Sequence, residues 1–293
     1  MRKYFLAIMA FAATTAAIAQ GESKKDDLGV DISIGAEKEL LPNFDFSVEA
    51  NVRTQEHSER IERYLIGGEL GYKFLNTKTF DMKVSGGFEY MWQQKMAESE
   101  TAKTPYPFTQ FDEQGNPVYD AQGMPLPDTR YRNYNVDDRY WRNRHRTSLG
   151  LTATYSPNKR WSFQLKETVQ YNHYCREDSI NQYEYRWDEN DDGDKFMPAP
   201  GIDRKGVDPK DRFILRSKFT VEYNVKDLPL NLFASVDYGC GLNYTANKWK
   251  YTLGEEWSIN KKHKLTCFFR FQTEDDDDEP NGLMIGMGYK VKF

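Results

Sequence analysis

The chain of 293 residues carries a formal net charge of −5, and its hydrophobic fraction is only 39% although aromatic residues make up 15%. The acidic balance argues against nucleic acid as a partner, and the lack of an apolar run of about eighteen residues after the first segment excludes a helical membrane protein. Many aromatic residues together with a mean hydropathy of −0.82 are typical of a β-barrel that is apolar outside and polar inside. A secreted β-sandwich is the soluble alternative.

Residues 1–19 have the pattern of a secretory signal peptide. Arg2 and Lys3 give a positive start, residues 5–13 are apolar, and Ala17 and Ala19 form a small-x-small cleavage site. The apolar stretch is too short to span a bilayer as a helix. We therefore expect residues 20–293 to form a single exported β-barrel domain with a formal charge of −7, because two cations leave with the signal peptide.

Eleven later segments alternate apolar and polar residues, which predicts strands with one apolar face. In chain order they are Leu28 to Ala36, Phe44 to Val52, Tyr64 to Phe74, Phe80 to Trp92, Trp141 to Tyr155, Trp161 to Tyr171, Phe213 to Tyr223, Leu230 to Tyr238, Trp249 to Trp257, Leu265 to Phe271 and Leu283 to Phe293. Most are long enough to cross a membrane at a tilt. The chain ends on the aromatic residue Phe293, which resembles the C-terminal residue of many bacterial outer-membrane barrels, and the resemblance implies that the barrel-assembly machinery would read it.

The connections between these segments are of two lengths. Five are short, at residues 40–43, 76–78, 157–159, 226–229 and 260–262, and two are long, at about 94–138 and 176–211. Short turns of such barrels face the periplasm and long loops face outside. The sequence therefore predicts an all-β protein, an antiparallel transmembrane β-barrel in the outer membrane of a Gram-negative cell. Because bacterial barrels have an even strand count, we expect about twelve strands; with eleven, residues 20–27 would thread the lumen.

Charged residues of the predicted lumen are the first candidates for function. The arginines Arg142, Arg144 and Arg146 point inward in the strand register. Other inward charges are Arg53, Arg63, Lys166, Arg216, Lys218, Arg270, Glu49, Glu69, Glu89 and Glu222. The interleaved glutamates favour a lumen filled by paired charges, whereas the run of arginines favours a basic constriction that selects anions. Two glutamates, Glu167 and Glu255, fall on the apolar face, and a bulge or a place near lipid headgroups would accommodate each.

An acidic loop resembles the first half of a calcium-binding loop. Asp188, Asn190, Asp192 and Asp194 place oxygens at alternate positions around Gly193. The glutamate expected at the twelfth position is replaced by Ala199. A solvated loop is therefore the favoured interpretation, with calcium as the one candidate cofactor. Residues 275–279 form a similar acidic tip that would hold divalent ions loosely beside lipopolysaccharide.

Support for catalysis or for a disulfide is weak. The four histidines are His57, His145, His173 and His263. His57 precedes Ser58, which resembles the pair in outer-membrane phospholipase, but the flanking residues differ and a catalytic site needs contact geometry. The three cysteines, Cys175, Cys240 and Cys267, have no metal-ligand spacing; a Cys175–Cys240 disulfide is an alternative to the favoured unpaired state. We expect a protein that is not an enzyme.

The chain resembles the uncharacterised outer-membrane barrels grouped as domain of unknown function 2490, frequent in Bacteroidetes-type bacteria, over about residues 25–293. The resemblance rests on Glu49-Ala50-Asn51-Val52-Arg53, Arg63-Tyr64, Arg144-His145-Arg146 and residues 286–293. It implies a barrel and its location but no activity and no site residues. We expect a porin-like channel or solute-binding barrel in contact with outer-membrane lipid and lipopolysaccharide. The alternatives are a closed barrel whose loops bind a partner and an outer-membrane hydrolase; the oligomeric state stays open.

Overall fold

A computed structural model describes residues 27–55, 58–95, 99–101, 112, 114–126, 133–188, 195–245, 247–274 and 282–293. The chain divides into two compact units. The first contains Met1–Gln93, Asn143–Tyr174 and Lys210–Phe293, and the second contains Gln94–Arg142 and Cys175–Pro209. Among the described residues, no helix is long and apolar enough to cross a membrane.

Strands account for most of the described residues of both units, and they are numbered here in chain order. They are β1 Asp27–Leu41, β2 Phe44–Gln55, β3 Arg60–Asn76, β4 Phe80–Lys95, β5 Ser99–Thr101, β6 Asn133–Asp137, β7 Tyr140–Tyr155, β8 Trp161–Tyr174, β9 Glu177–Asp188, β10 Lys195–Val207, β11 Lys210–Asn224, β12 Leu230–Gly241, β13 Asn247–Ser258, β14 His263–Glu274 and β15 Gly282–Lys292. The eleven alternating segments of the sequence correspond to β1–β4, β7, β8 and β11–β15. The prediction of an all-β chain is confirmed.

The first unit is a closed barrel of eleven strands in the order β1-β15-β14-β13-β12-β11-β8-β7-β4-β3-β2. Our expectation of about twelve strands is wrong. An antiparallel barrel closes only with an even count, but β1 and β15 pair in parallel, from Asp27 opposite Gly282 to Glu37 opposite Lys292. This parallel seam satisfies the backbone groups of both edge strands and so removes the need for a twelfth strand.

The exterior of the barrel is apolar and its interior is polar. Exposed fractions reach 59% for Ile34, 55% for Ile66 and 63% for Leu149. Buried polar side chains in the same strands include Asp31, Arg63 and Arg144. This distribution is the reverse of that in a soluble protein, where apolar side chains fill the interior. Because the sheet closes into a barrel, the alternative of a β-sandwich is excluded.

Aromatic rings collect near both ends of the barrel exterior. Trp161 and Phe163 stack with an interplanar angle of 9°, and Trp161 also contacts Tyr223, at the end where the short turns lie. Towards the opposite end, Tyr171 pairs with Phe213, and Tyr238 lies 4.5 Å from Trp249 between ring centroids. Rings with a polar edge are enriched at such positions in membrane barrels.

Side-chain hydrogen bonds explain why the short connections turn where they do. The Asn158 Oδ1 accepts from the backbone N–H groups of Arg160 and Trp161, at 2.8 and 3.0 Å. The Asn260 side chain makes the same pair of bonds in the last turn, at 2.8 and 2.9 Å. Asn43 and Asp227 adopt positive φ angles of 68° and 60°, which these two residue types tolerate. Four of the five short connections are thus encoded locally.

The second unit holds a four-stranded sheet in the order β10-β9-β6-β5. Its strands come from the two long connections, which the sequence had suggested only as loops. It also holds two successive turns of the form Asp-x-Gln-Gly, in which Gly115 and Gly123 take φ angles of 78° and 76°. In the first, the backbone amide of Asn116 donates to Asp112 at 2.8 Å and holds the pKa of that carboxyl below its usual value.

Candidate functional site

The barrel lumen contains a layer of arginines, which we call the arginine layer. Strand alternation places these side chains inward, and they lie in the half of the barrel away from the short turns. The members are Arg53, Arg63, Arg144, Arg146, Arg212, Arg216 and Arg270. Arg53, with 2% of its surface exposed, is among the most deeply buried side chains described.

Carboxylates on neighbouring strands pair with several of these arginines. Asp31 lies 3.0 Å from the Arg53 Nη2 and 3.2 Å from the Arg270 Nη1. The Arg146 Nη1 lies 2.9 Å from the Glu89 carboxylate. Arg216 pairs with Asp237, and Glu62 lies 3.8 Å from the Arg53 Nε. Pairing of this kind is what allows charges to be buried.

Aromatic side chains support the arginines at one side of the layer. The Arg144 guanidinium donates to the Tyr174 hydroxyl at 2.8 Å and lies 5.3 Å from the centre of that ring. The Arg212 guanidinium lies 4.5 Å from the Tyr244 ring and 5.6 Å from the Tyr174 ring. These cation–π contacts hold guanidinium groups without neutralising them.

The arginine layer carries an excess of positive charge among the described residues. The carboxylates within it are Asp31, Glu62, Glu89 and Asp237, so seven arginines face four acids. The layer thus has features that each of the two interpretations of the lumen requires. Arg53, Arg146, Arg216 and Arg270 pair with acids of the layer, as a filled lumen requires, and the predominance of arginine among the described charges is what a basic constriction requires.

The layer leaves little free volume. The cavity beside Arg144, Arg212 and Asp237 measures about 40 Å³, room for a few water molecules. The other half of the lumen, towards the short turns, contains a cavity of about 340 Å³ lined by Glu49, Lys218 and Arg270 among others. Barrels of eight strands are filled by side chains and those of sixteen hold open channels, so a partly filled lumen suits eleven strands.

The structure brings most of the predicted lumen residues together. Arg53, Arg144, Arg146, Arg216 and Glu89 belong to the arginine layer, and Glu49 and Lys218 line the larger cavity. Glu69 lies outside both groups and pairs with Lys166 at 2.9 Å. Glu222 accepts from the Asn231 side chain at 3.3 Å, close to the short turns.

Arg142 is the exception among the predicted lumen arginines. It belongs to the second unit, and its guanidinium donates to the backbone carbonyls of Cys175 at 2.9 Å and Asp208 at 2.6 Å. That Arg142 faces the lumen with its neighbours stays a prediction. Strand alternation places Arg142 on the same face of β7 as Arg144 and Arg146. Its guanidinium bonds to the chain segments that follow β8 and β10.

Several residues of the lumen were missed from the sequence. Asp31 and Asp237 neutralise arginines, and Phe233 and Phe268 line the larger cavity. Asp31 lies between Val30 and Ile32, and Asp237 lies between Val236 and Tyr238. An acidic residue between two apolar residues of a strand faces the side opposite to them, so alternation could have identified both acids as inward-facing.

Two polar residues on the barrel exterior have different settings. Glu167 lies halfway along β8 and accepts from the Ser217 hydroxyl at 2.6 Å. The register of β8 with β7 and β11 is continuous there, so neither a bulge nor a place near an end accommodates Glu167. Glu255 lies close to the short-turn end of β13, as a place near headgroups predicts.

The three described histidines lie outside the lumen. His173 Nδ1 lies 2.7 Å from Asp211 Oδ1, and the Tyr171 hydroxyl donates to the same oxygen at 2.8 Å. His145 contacts the Tyr90 ring, and His263 lies 2.6 Å from the Tyr289 hydroxyl. Within the described part of the chain, no serine hydroxyl bonds to His173, as a Ser–His–carboxylate site would require. His57 lies outside the described residues.

The predicted metal loop is only partly described. Asp188 ends β9, and Asn190, Asp192 and Asp194 lie outside the described residues. No group of three or more metal-ligating side chains occurs in the part of the chain that the structure describes. All three cysteines are free, which confirms that Cys175 and Cys240 are unpaired.

Comparison with known proteins gives no further guide. No protein-family model matches the chain, and no curated protein matches it. Membership of the family that the sequence resembles therefore stays a prediction.

Proposed function

We propose that the protein is an outer-membrane β-barrel whose lumen admits or binds small anionic solutes. The inverted distribution of side chains is the observation that supports the membrane location. Exposed apolar residues such as Ile34, Ile66 and Leu149 surround a closed barrel with aromatic rings near both ends. A bilayer solvates such a surface, whereas water does not. In this location, the short turns face the periplasm and the long connections face outside.

The predominance of arginine in the arginine layer supports selection of anions. Seven arginines and four carboxylates share a space with little free volume, so a solute passes close to the guanidinium groups. Guanidinium binds carboxylate and phosphate with two parallel hydrogen bonds. A small anion is therefore stabilised in the layer, and a cation is repelled from it.

Conductance of the refolded barrel in a planar bilayer with asymmetric salt tests this proposal. We expect small current steps that favour anions. Arg144→Glu should shift the preference towards cations, because it changes the layer by two charges. Arg160→Glu is the matched control, since Arg160 is exposed in a short turn and its change leaves the layer intact. Conducting channels with the same ion preference in both variants would contradict the role of the layer.

A closed barrel that binds partners through its long connections is the second candidate. The most deeply buried side chains, which include Arg53, Met91, Gln93 and Gln272, favour it because they fill the same level of the lumen. A refolded barrel that carries no current would favour this function over a channel. Lipopolysaccharide, outer-membrane lipid and the barrel-assembly machinery are the partners we propose for either function.

A further inference from the structure

The larger lumen cavity has a composition unlike the rest of the lumen. We call it the lysine cavity, after Lys218 and Lys290, which line it together with Arg270 and Glu49. Its volume of about 340 Å³ lies at the lower end of the range for small-molecule sites. Glu49 points inward, like Asn51 and Arg53 on the same strand, and is nevertheless exposed to solvent. The cavity is therefore open to water.

Two phenylalanines face this cavity from an otherwise polar wall. Phe233 and Phe268 lie over Gly254, where an added Cβ would come within 2.5 Å of the Phe233 Cζ and 2.8 Å of the Phe268 Cβ. At Gly286 an added Cβ would overlap the Phe268 ring. The glycines thus leave room for rings to lie against the barrel wall. Apolar rings gain nothing from water in the lumen, so their placement suits the flat face of a ligand.

The cations around these rings differ in how they are held. The Arg270 guanidinium is fixed by Asp31 at 3.2 Å and lies 4.7 Å from the centre of the Phe268 ring. Within the described residues, no carboxylate lies within 4.0 Å of the Lys218 or Lys290 ammonium group, although Asp237 acts electrostatically on Lys218 and Glu49 on Lys290. Two lysines without a paired carboxylate beside an aromatic surface form a receptor for an anionic group.

Hydroxyl groups complete the wall of the lysine cavity. They belong to Ser33, Ser235, Thr252 and Thr266, and the Glu49 carboxylate adds a strong acceptor. A ligand with several hydroxyls of its own would satisfy these groups, whereas a purely aromatic acid would leave them facing a ring.

We propose that the lysine cavity binds an acidic monosaccharide. The carboxylate of the sugar pairs with Lys218 and Lys290, one face of the ring packs on Phe268, and the sugar hydroxyls bond to the serine and threonine side chains and to Glu49. This proposal deepens the function proposed above and rests on it for the route by which the sugar reaches the cavity.

Calorimetric titration of the refolded mature barrel in detergent tests the proposal with glucuronate, glucose and benzoate as probes. We expect glucuronate to bind about tenfold more tightly than glucose, which lacks the charge, and than benzoate, which lacks the hydroxyls. Lys290→Gln and Lys218→Gln should each weaken glucuronate binding by about tenfold and leave glucose unchanged. Phe268→Leu should weaken both sugars alike.

Lys83→Gln is the matched control, because Lys83 is an inward lysine that pairs with Asp45 at 2.6 Å and does not line the cavity. Equal weakening by Lys83→Gln, equal affinity for benzoate, or no saturable binding of glucuronate by the folded barrel would overturn the proposal. The titration needs no current. A barrel that carries no current but binds glucuronate would therefore refute the channel and support the lysine cavity as a binding site. A barrel that conducts but does not bind glucuronate would support the channel and refute the binding site.

Discussion

Replacement of Asp31 by asparagine should destabilise the barrel at its parallel seam. Asp31 on β1 accepts from Asn51 and from Arg53 on β2, at 3.0 Å to the Arg53 Nη2. It also pairs at 3.2 Å with Arg270 on β14, which lies beyond β15. The residue opposite Asp31 on β15 is Gly286, which has no side chain to block the approach of Arg270 across that strand. One carboxylate thus joins strands on both sides of the seam.

The burial of this group sets the expected magnitude. Asp31 and Arg53 are exposed by only 7% and 2% at their side chains, and Asp31→Asn leaves two guanidinium groups facing each other without their shared acid. Removal of one partner from a buried pair costs about 3–5 kcal/mol. Because Arg270 retains 21% exposure to the lumen, we expect the lower limit, about 3 kcal/mol.

The free energy of unfolding should be measured by urea titration of the refolded barrel in lipid vesicles, with tryptophan fluorescence as the readout. Asp45→Asn is the matched control, since Asp45 pairs with Lys83 at side-chain exposures of 20% and 22% and its loss should cost about 1 kcal/mol or less. If Asp31→Asn costs no more than Asp45→Asn, the seam does not depend on this carboxylate. Restoration of stability by Asp31→Asn combined with Arg270→Gln would confirm that unpaired guanidinium causes the loss.

Three further outcomes are expected. Glu167→Leu should raise the free energy of unfolding in vesicles by about 1 kcal/mol, because a carboxylate leaves the middle of the apolar exterior; a decrease would show that the hydrogen bond from Ser217 outweighs the cost of that carboxylate. Gly286→Ala should lower it by about 1–3 kcal/mol, since the new Cβ overlaps the Phe268 ring, and Phe268→Leu should recover part of the loss; unchanged stability would mean that the ring moves freely. Proteolysis near Asp188 should proceed equally in calcium and in chelator, because Ala199 replaces the bidentate glutamate; protection by calcium would contradict this.

The candidate site was only partly predictable. The inward positions of Arg53, Arg144, Arg146 and Glu89 follow from the period of two, because alternation assigns each side chain to one face of its strand. Alternation does not state which side chains meet. Arg146 and Glu89 lie 2.9 Å apart although 57 residues separate them in the chain. The same limit explains Arg142, which has the correct strand face but bonds to the backbone at Cys175 and Asp208.

The sequence by itself determined the elements of the barrel. Eleven strands, five short turns and an apolar exterior follow from local alternation and from asparagine and aspartate at the turns, because these preferences act over a few residues. Only the tertiary structure decided the strand count at closure, the parallel pairing of Asp27 with Gly282, the sheet within the long connections and the division of the lumen into a filled layer and a cavity. Each of these depends on contacts between residues far apart in the chain, and the local sequence of one segment does not determine the free energies of such contacts.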